Sequence, residues 1–276
     1  VTKAPLTVNA DNKTRPYGTA NPTLTASYTG FTNGETLATS GITGAPTLNT
    51  NAKTASNVGT FNINIGTGTL VSPNYSFTLV NGTLTVEKAV LNVTADNKSK
   101  TYATANPALT YVISGFTNGE NLNNSGVSGT PTISTTATTA SQAGNYDIVT
   151  GLGTLTANNY SFNFVKGTLA INKVVLTVTA ENKSRSYGAS DPAFTALISG
   201  FVNGENLASS GVTGQAGFTT NATSTSTTGN YIITPNVGTL TANNYSFTFA
   251  NGTLSILKAL VTVSAENKTK TYGSNN

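Results

Sequence analysis

An all-β chain, built as a tandem array of small antiparallel modules, is predicted by three observations. The first is a fixed period. Asn12-Lys13-Thr14-Arg15-Pro16-Tyr17-Gly18 returns as Asn97 to Ala103, Asn182 to Gly188 and Asn267 to Gly273, so that its tyrosine stands at 17, 102, 187 and 272, a step of 85 residues each time. The second is side-chain alternation with a period of two, as in Leu6-Thr7-Val8 or Tyr75, Phe77 and Leu79, in register between repeats. The third is composition. Thr, Asn, Ser and Gly abound, charged residues are 9% and Cys is absent, so each repeat must bury a core without disulfides. Eighty-five residues are enough for that.

The period divides the chain into a tail of a preceding repeat (1–4), modules at 5–89, 90–174 and 175–259, and the start of a fourth repeat (260–276). Val1-Thr2-Lys3-Ala4 aligns with Val86-Glu87-Lys88-Ala89, which reads as a window cut from a longer array or as a processed chain. Each module opens with a strand (Leu6–Val8, Leu91–Val93, Leu176–Val178, Val261–Val263). The basic stretch follows, and an extended backbone there points Lys13, Arg15 and Tyr17 the same way. An Asn-Pro or Asp-Pro corner starts a second strand, Leu24 to Tyr28 in the first copy. Asn33-Gly34-Glu35-Thr36-Leu37 suits a short helical turn ended by Gly41. Further strands are expected at Thr47–Ala52 and Phe61–Ile65. Asn81-Gly82 between alternating runs predicts a hairpin with positive φ at both residues, less stable in the second copy where Lys166 replaces Asn. The core of the first module is expected to hold Tyr17, Phe31, Leu37, Phe61, Tyr75, Phe77 and Leu84. Six or seven strands with one turn permit an immunoglobulin-like sandwich or a β-grasp sheet; the sandwich is the preferred reading. Joints such as Lys88-Ala89-Val90 hold no Gly, Pro or Ser, so a stiff connection is expected.

These residues carry a resemblance. The Leu-Thr-Val strand, Asn-Lys-x-basic-x-Tyr-Gly, Asn-Pro, Gly-Phe-x-Asn-Gly-Glu, and Asn-Tyr-Ser-Phe with Asn-Gly-Thr-Leu resemble the MBG domain of YGX type, over nearly the whole chain. That family occurs as tandem copies in large bacterial surface and secreted proteins, including adhesins. The resemblance implies an extracellular or cell-surface location and no particular ligand. Ala103 stands where the other copies have Gly, which suggests that positive φ is not strictly required there.

Chemistry is sparse. With neither His nor Cys, the usual general bases and thiol nucleophiles are missing, so no enzyme and no cofactor are expected. The 10 acids are scattered; the nearest approach to a metal site would use Asp96 or Glu181 with Asn side chains at a joint, and none is predicted. A net charge of +4 does not suggest nucleic acid, and no apolar run suits membrane insertion. Of 14 lysines and arginines, eight lie at the two basic positions of the motif and four are the joint residues Lys3, Lys88, Lys173 and Lys258. The plain reading is an exposed edge strand whose charges block edge-to-edge pairing. The functional reading is a multivalent contact with anionic surface polysaccharide, on a host or neighbouring cell, through Lys13, Arg15 and Tyr17, Lys98, Lys100 and Tyr102, and Lys183, Arg185 and Tyr187. The leading function is a structural stalk of an adhesin; the alternatives are the glycan-binding module and a self-assembling filament subunit.

Overall fold

The structure, a computed structural model, describes residues 1–275. Each repeat supplies seven strands. In the first these are β1 (Ala4–Ala10), β2 (Lys13–Pro16), β3 (Ala26–Thr29), β4 (Thr47–Thr50), β5 (Gly59–Gly66), β6 (Tyr75–Val80) and β7 (Gly82–Glu87). The second supplies β8 (Ala89–Ala95), β9 (Lys98–Thr101), β10 (Tyr111–Ser114), β11 (Thr132–Thr135), β12 (Gly144–Gly151), β13 (Tyr160–Val165) and β14 (Gly167–Asn172). The third supplies β15 (Val174–Ala180), β16 (Lys183–Ser186), β17 (Ala196–Ser199), β18 (Gly217–Thr220), β19 (Gly229–Asn236), β20 (Tyr245–Ala250) and β21 (Gly252–Leu257). No helix occurs among the described residues. The strands of the first repeat form two sheets, β3-β1-β6 and β2-β7-β5-β4, and the same orders recur in the other two. With two sheets per repeat and no helix to cover either, the architecture is a sandwich and not a β-grasp.

Antiparallel pairs predominate, but the first and third repeats each hold two parallel pairs. In the first repeat β1 runs parallel to β6, with Leu6 opposite Phe77, and β2 runs parallel to β7, with Arg15 opposite Val86. The two parallel strands therefore cross from one sheet to the other side by side. Asn12 sits at the crossing and accepts the Thr83 N–H at 2.8 Å; Asn97 and Asn182 do the same for Thr168 and Thr253. This crossing overturns the expected hairpin at Asn81-Gly82. β6 and β7 lie in different sheets, and neither Asn81 nor Gly82 has positive φ. Glycine is required at 82 for a different reason. A Cβ there would lie 2.4 Å from the Ala10 carbonyl oxygen, and at Gly167 and Gly252 it would lie 2.5 Å from the matching oxygens of Ala95 and Ala180. Lys166 carries no turn strain either, and bonds Asp147 at 2.7 Å.

The Asn-Gly pair that does turn is Asn33-Gly34, at φ 56° and 72°, closed by a 3.0 Å bond from the Glu35 N–H to the Thr32 carbonyl. The helical turn expected after it is reduced to two bonds onto the Thr36 carbonyl, from the Thr39 N–H at 3.1 Å and the Ser40 N–H at 2.9 Å. Leu37, expected in the core, is 45% exposed because that turn stands outside both sheets. Tyr75 and Leu84 are fully buried, and Phe31, Phe61 and Phe77 are half-buried. Ala103 also departs from expectation. It adopts φ 65°, beside 78° at Gly18 and 83° at Gly188, so the position does require the left-handed region and alanine bears a strain of about 1–2 kcal/mol. The opening strand of the fourth repeat does not form. Val261 and Val263 are 78% and 90% exposed, since no strand among the described residues pairs with them.

The chain forms two compact units. The first comprises Val1–Lys98, Pro107–Thr136 and Tyr146–Leu169; the second comprises Ser99–Asn106, Ala137–Asn145 and Ala170–Asn276. The first unit contains the sandwich interior of the first repeat, built on Ala10, Ala52, Ile63 and Leu84. It also contains a second core drawn from two repeats: Tyr17, Val86, Ala89, Leu91 and Tyr160. In the second unit, Ala180, Ile233, Leu254 and Ile256 form the interior of the third repeat.

Candidate functional site

The basic stretch is an edge strand, as the plain reading expects. β2 and β16 each stand at the margin of a four-stranded sheet, held only by β7 and β21. Lys13, Arg15 and Tyr17 do point the same way, but that way is inward. Arg15, Lys100 and Arg185 are 4%, 8% and 7% exposed. Arg15 donates to Asn21 Oδ1 at 2.7 Å and to the Lys53 carbonyl at 2.5 Å, tying two loops beneath the strand. Lys100 donates to the carbonyls of Thr104 and Thr138, and Arg185 pairs with Asp191 at 2.5 Å and bonds the Thr223 carbonyl. Of the residues expected to contact glycan, Arg15, Lys100, Arg185, Tyr17 and Tyr102 are therefore buried and present little surface to solvent. Lys13, Lys98 and Lys183 remain half-exposed, and Tyr187 is exposed. The joint lysines Lys3, Lys88 and Lys173 donate to the carbonyls of Ser72, Ala157 and Ala242. Asp96 and Glu181 accept the hydroxyls of Thr110 and Thr195, and no cluster of metal-ligating side chains occurs among the described residues.

The tyrosine of the motif has a partner that spacing alone does not reveal. In the first unit Tyr17 is 3% exposed, yet its pocket belongs to the following repeat. Its hydroxyl donates to Glu120 Oε1 at 2.5 Å, and the Tyr160 hydroxyl donates to Oε2 of the same carboxylate at 2.5 Å. The two rings meet edge to face at 5.5 Å, and Phe116 meets Tyr160 at 5.8 Å. Each part of the socket has a local cause. Asn118 and Gly119, at φ 55° and 70°, turn the chain so that Glu120 projects back over Tyr160. Tyr160 begins β13, and its oxygen accepts the Thr117 N–H at 3.1 Å. Tyr17 follows the edge strand, its N–H bonded to the Glu87 carbonyl at 2.8 Å. Gly18 then turns the chain away at φ 78°, and the missing Cβ is the space Thr117 fills, since that atom would lie 2.2 Å from Thr117 Oγ1. A second contact flanks the socket. Asn159 Oδ1 accepts the Val58 N–H at 3.0 Å, and its amide donates to Asn57 at 2.9 Å.

The second unit repeats this arrangement. Tyr102 and Tyr245 donate to the two oxygens of Glu205 at 2.6 and 2.7 Å, their rings 5.8 Å apart, while Asn244 accepts the Ala143 N–H at 2.9 Å. Tyr187 makes no such contact and is 50% exposed; a Cβ on Gly188 would meet nothing. Glu120 and Glu205 were legible only as members of a Gly-Phe-x-Asn-Gly-Glu motif. The signal that could have found their role is that Tyr, Glu and the second Tyr recur with the same 85-residue step.

A phenol sharing a carboxylate with another phenol resists ionisation. Burial and the Glu120 bond raise Tyr17 and Tyr160 above the ordinary tyrosine value. The bond to Glu205, with burial, raises Tyr102, and burial with that bond pushes Tyr245 up to about 12. A folded value above the unfolded 10.0 contributes stability that is fully present below pH 10 and fades as pH climbs through about 12. The urea midpoint of the second unit is therefore expected to hold to about pH 10 and then fall steeply. Unfolding curves across that range check this, and Glu205→Gln should flatten the fall.

Solved structures offer only distant likenesses. The crystal structure of the I9-I11 tandem from titin is 11% identical, with 92% of this chain and 100% of that chain covered at a TM-score of 0.26. That of Drosophila N-cadherin EC1-4 is 10% identical, with 94% and 76% covered at 0.25. At such scores neither bears on fold or function. No curated protein matches the chain. A family profile described as MBG domain (YGX type) matches residues 6–85, 91–170 and 176–255.

Proposed function

Because the chain belongs to the MBG domain family of YGX type, in three tandem copies, we propose that its repeats are the stalk of a bacterial cell-surface or secreted adhesin, carrying a binding region at a distance. The observation that carries this reading is the burial of the motif tyrosines of the first and second repeats, Tyr17 and Tyr102, against the following repeat, under a shared glutamate. A stalk must pass load between repeats without hinging. Here the joint is a packed core, and one residue, Lys88, separates β7 from β8. The side chains with the strongest chemistry, Arg15 and the socket glutamates, are spent on holding elements together. Localisation outside the cell follows from family membership as part of the same proposal.

The chain has no cysteine, so a pair of introduced thiols can be labelled cleanly. Thr60 and Val112 are exposed, lie in different repeats and belong to the first unit. Spin labels at Thr60→Cys and Val112→Cys should give one narrow distance distribution, and Glu120→Ala should broaden it. A broad distribution with Glu120 in place would remove the mechanical basis of the stalk.

A further inference from the structure

Five Asn-Gly pairs stand in the chain, and the structure sets them in two kinds of surroundings. Asn81-Gly82 and Asn251-Gly252 run straight into β7 and β21. There each glycine is buried, stands opposite Ile63 or Ile233 in the ladder, and lies against the carbonyl of Ala10 or Ala180. Asn33-Gly34, Asn118-Gly119 and Asn203-Gly204 form exposed turns instead. Both residues of each have positive φ, from 55° to 72°, and a Cβ built on Gly34, Gly119 or Gly204 would meet nothing within 4 Å. The turns at 118 and 203 deliver the glutamates shared between repeats. One backbone bond closes each, from the Glu120 N–H to the Thr117 carbonyl at 2.9 Å and from the Glu205 N–H to the Val202 carbonyl at 3.0 Å. Glu120 then holds Tyr17 and Tyr160, and Glu205 holds Tyr102 and Tyr245. The Asn118 side chain lies beside the Tyr17 hydroxyl.

We propose that Asn118 and Asn203 are sites of spontaneous deamidation, and that the product releases the tyrosine of the preceding repeat from the neighbouring glutamate. The Gly119 nitrogen attacks Asn118 Cγ. A bond forms between them, the Cγ–Nδ2 bond breaks, and ammonia leaves with the proton given up by the Gly119 amide, closing a succinimide ring. Water then opens either carbonyl of the ring, giving aspartate or isoaspartate. Glycine hastens the step because no side chain shields its nitrogen, which must swing onto Cγ. A turn that is open to solvent and closed by one bond permits that swing at 119 and 204. At 82 and 252 the same swing would pull a buried glycine out of its ladder. Both products oppose the socket. Isoaspartate routes the chain through Cγ and adds a methylene to the backbone between residues 118 and 119, in the turn that aims Glu120 at two phenols. Aspartate keeps the backbone path, since it tolerates positive φ, but sets a second carboxylate near Glu120 and beside Tyr17. Once Tyr17 leaves Glu120, the first repeat loses its hold on the second. The joint thus carries its own slow, one-way loosening.

The inference rests on the stalk reading, in which the shared glutamate stiffens the joint, and ageing of the full chain in warm, mildly alkaline buffer separates the two. Peptide mapping should find a gain of one dalton, with isoaspartate detected by enzymatic carboxyl methylation, at Asn33, Asn118 and Asn203 at least severalfold faster than at Asn81 and Asn251. The Thr60→Cys, Val112→Cys chain, spin-labelled after ageing, should show a distance distribution that broadens as the modified fraction at Asn118 rises. Gly119→Ala in that chain shields the nitrogen and meets no neighbour, so its distribution should stay narrow through the same ageing, with circular dichroism confirming that it folds. Turn and strand sites that deamidate alike, or turns that stay intact, overturn the modification. A distribution that stays narrow when Asn118 is fully converted overturns the release and leaves the stiff joint standing. A distribution already broad before ageing removes the stalk reading, and the release with it.

Discussion

Replacing Tyr17 with alanine is expected to destabilise the first compact unit by about 3–5 kcal/mol, while the same change at Tyr187 stays within about 0.5 kcal/mol. The two tyrosines share a motif and a strand context, and differ only in what surrounds the ring. Tyr17 is 3% exposed against Tyr160 and Val86, whereas Tyr187 is 50% exposed. Truncation at 17 empties a ring-sized cavity in a core shared by two repeats. It also strands one oxygen of Glu120, whose hydrogen bond from a phenol contributes about 1.5–3 kcal/mol because the acceptor is charged. Tyr17→Phe separates the two effects and should cost about 1–3 kcal/mol, the part due to the hydroxyl. Urea unfolding with hydrogen exchange read separately over the two units is the measurement. Equal losses at 17 and 187 would mean that the tyrosine stabilises its own repeat and that the shared glutamate is incidental.

Gly82→Ala is expected to cost about 3 kcal/mol or more, or to prevent folding of the first repeat. The obstacle is backbone, not a side chain that can rotate away. The added methyl would lie 2.4 Å from the oxygen and 2.9 Å from the carbonyl carbon of Ala10, where two parallel strands cross between sheets. Gly34→Ala is the control. It has φ 72° but nothing within 4 Å of a new Cβ, so it should lose only about 1–2 kcal/mol. Thermal unfolding of the two variants, compared over the first unit, decides the order. If Gly34 proves the more sensitive, conformational freedom matters more than the crossing. The same comparison explains why the Asn-Gly signal misled at 81–82, while the Asn-Gly pair that does turn, at 33–34, reads from sequence as the start of a helical turn. Asn-Gly is favoured wherever glycine is required, and glycine is required both for positive φ and for close approach. The two demands look identical along the chain.

Much of this protein is determined by sequence alone. The 85-residue period, the all-β class, a count of six or seven short strands per repeat and the family are all written in local patterns, because side-chain alternation and turn residues act over a few positions and repeat in phase. The expected core of the first repeat was legible in part: Tyr17, Tyr75 and Leu84 are buried, Phe31, Phe61 and Phe77 are half-buried, and Leu37 is exposed on a turn outside the sheets, while the buried Leu6, Val8, Ala10, Ala52, Ile63, Leu70 and Val86 lie outside that expectation. What only the tertiary structure decided is direction and partnership. Lys13, Arg15 and Tyr17 share a face by strand geometry, but whether that face looks to solvent or inward depends on the loops at Asn21 and Lys53 that close beneath it. Tyr17 and Glu120 meet across 103 residues, in different repeats, and nothing local to either distinguishes a core tyrosine from one that docks into a neighbour. Pairing at that range is set by how sheets cross and pack, and the free energy of the shared core appears only once both repeats are in place.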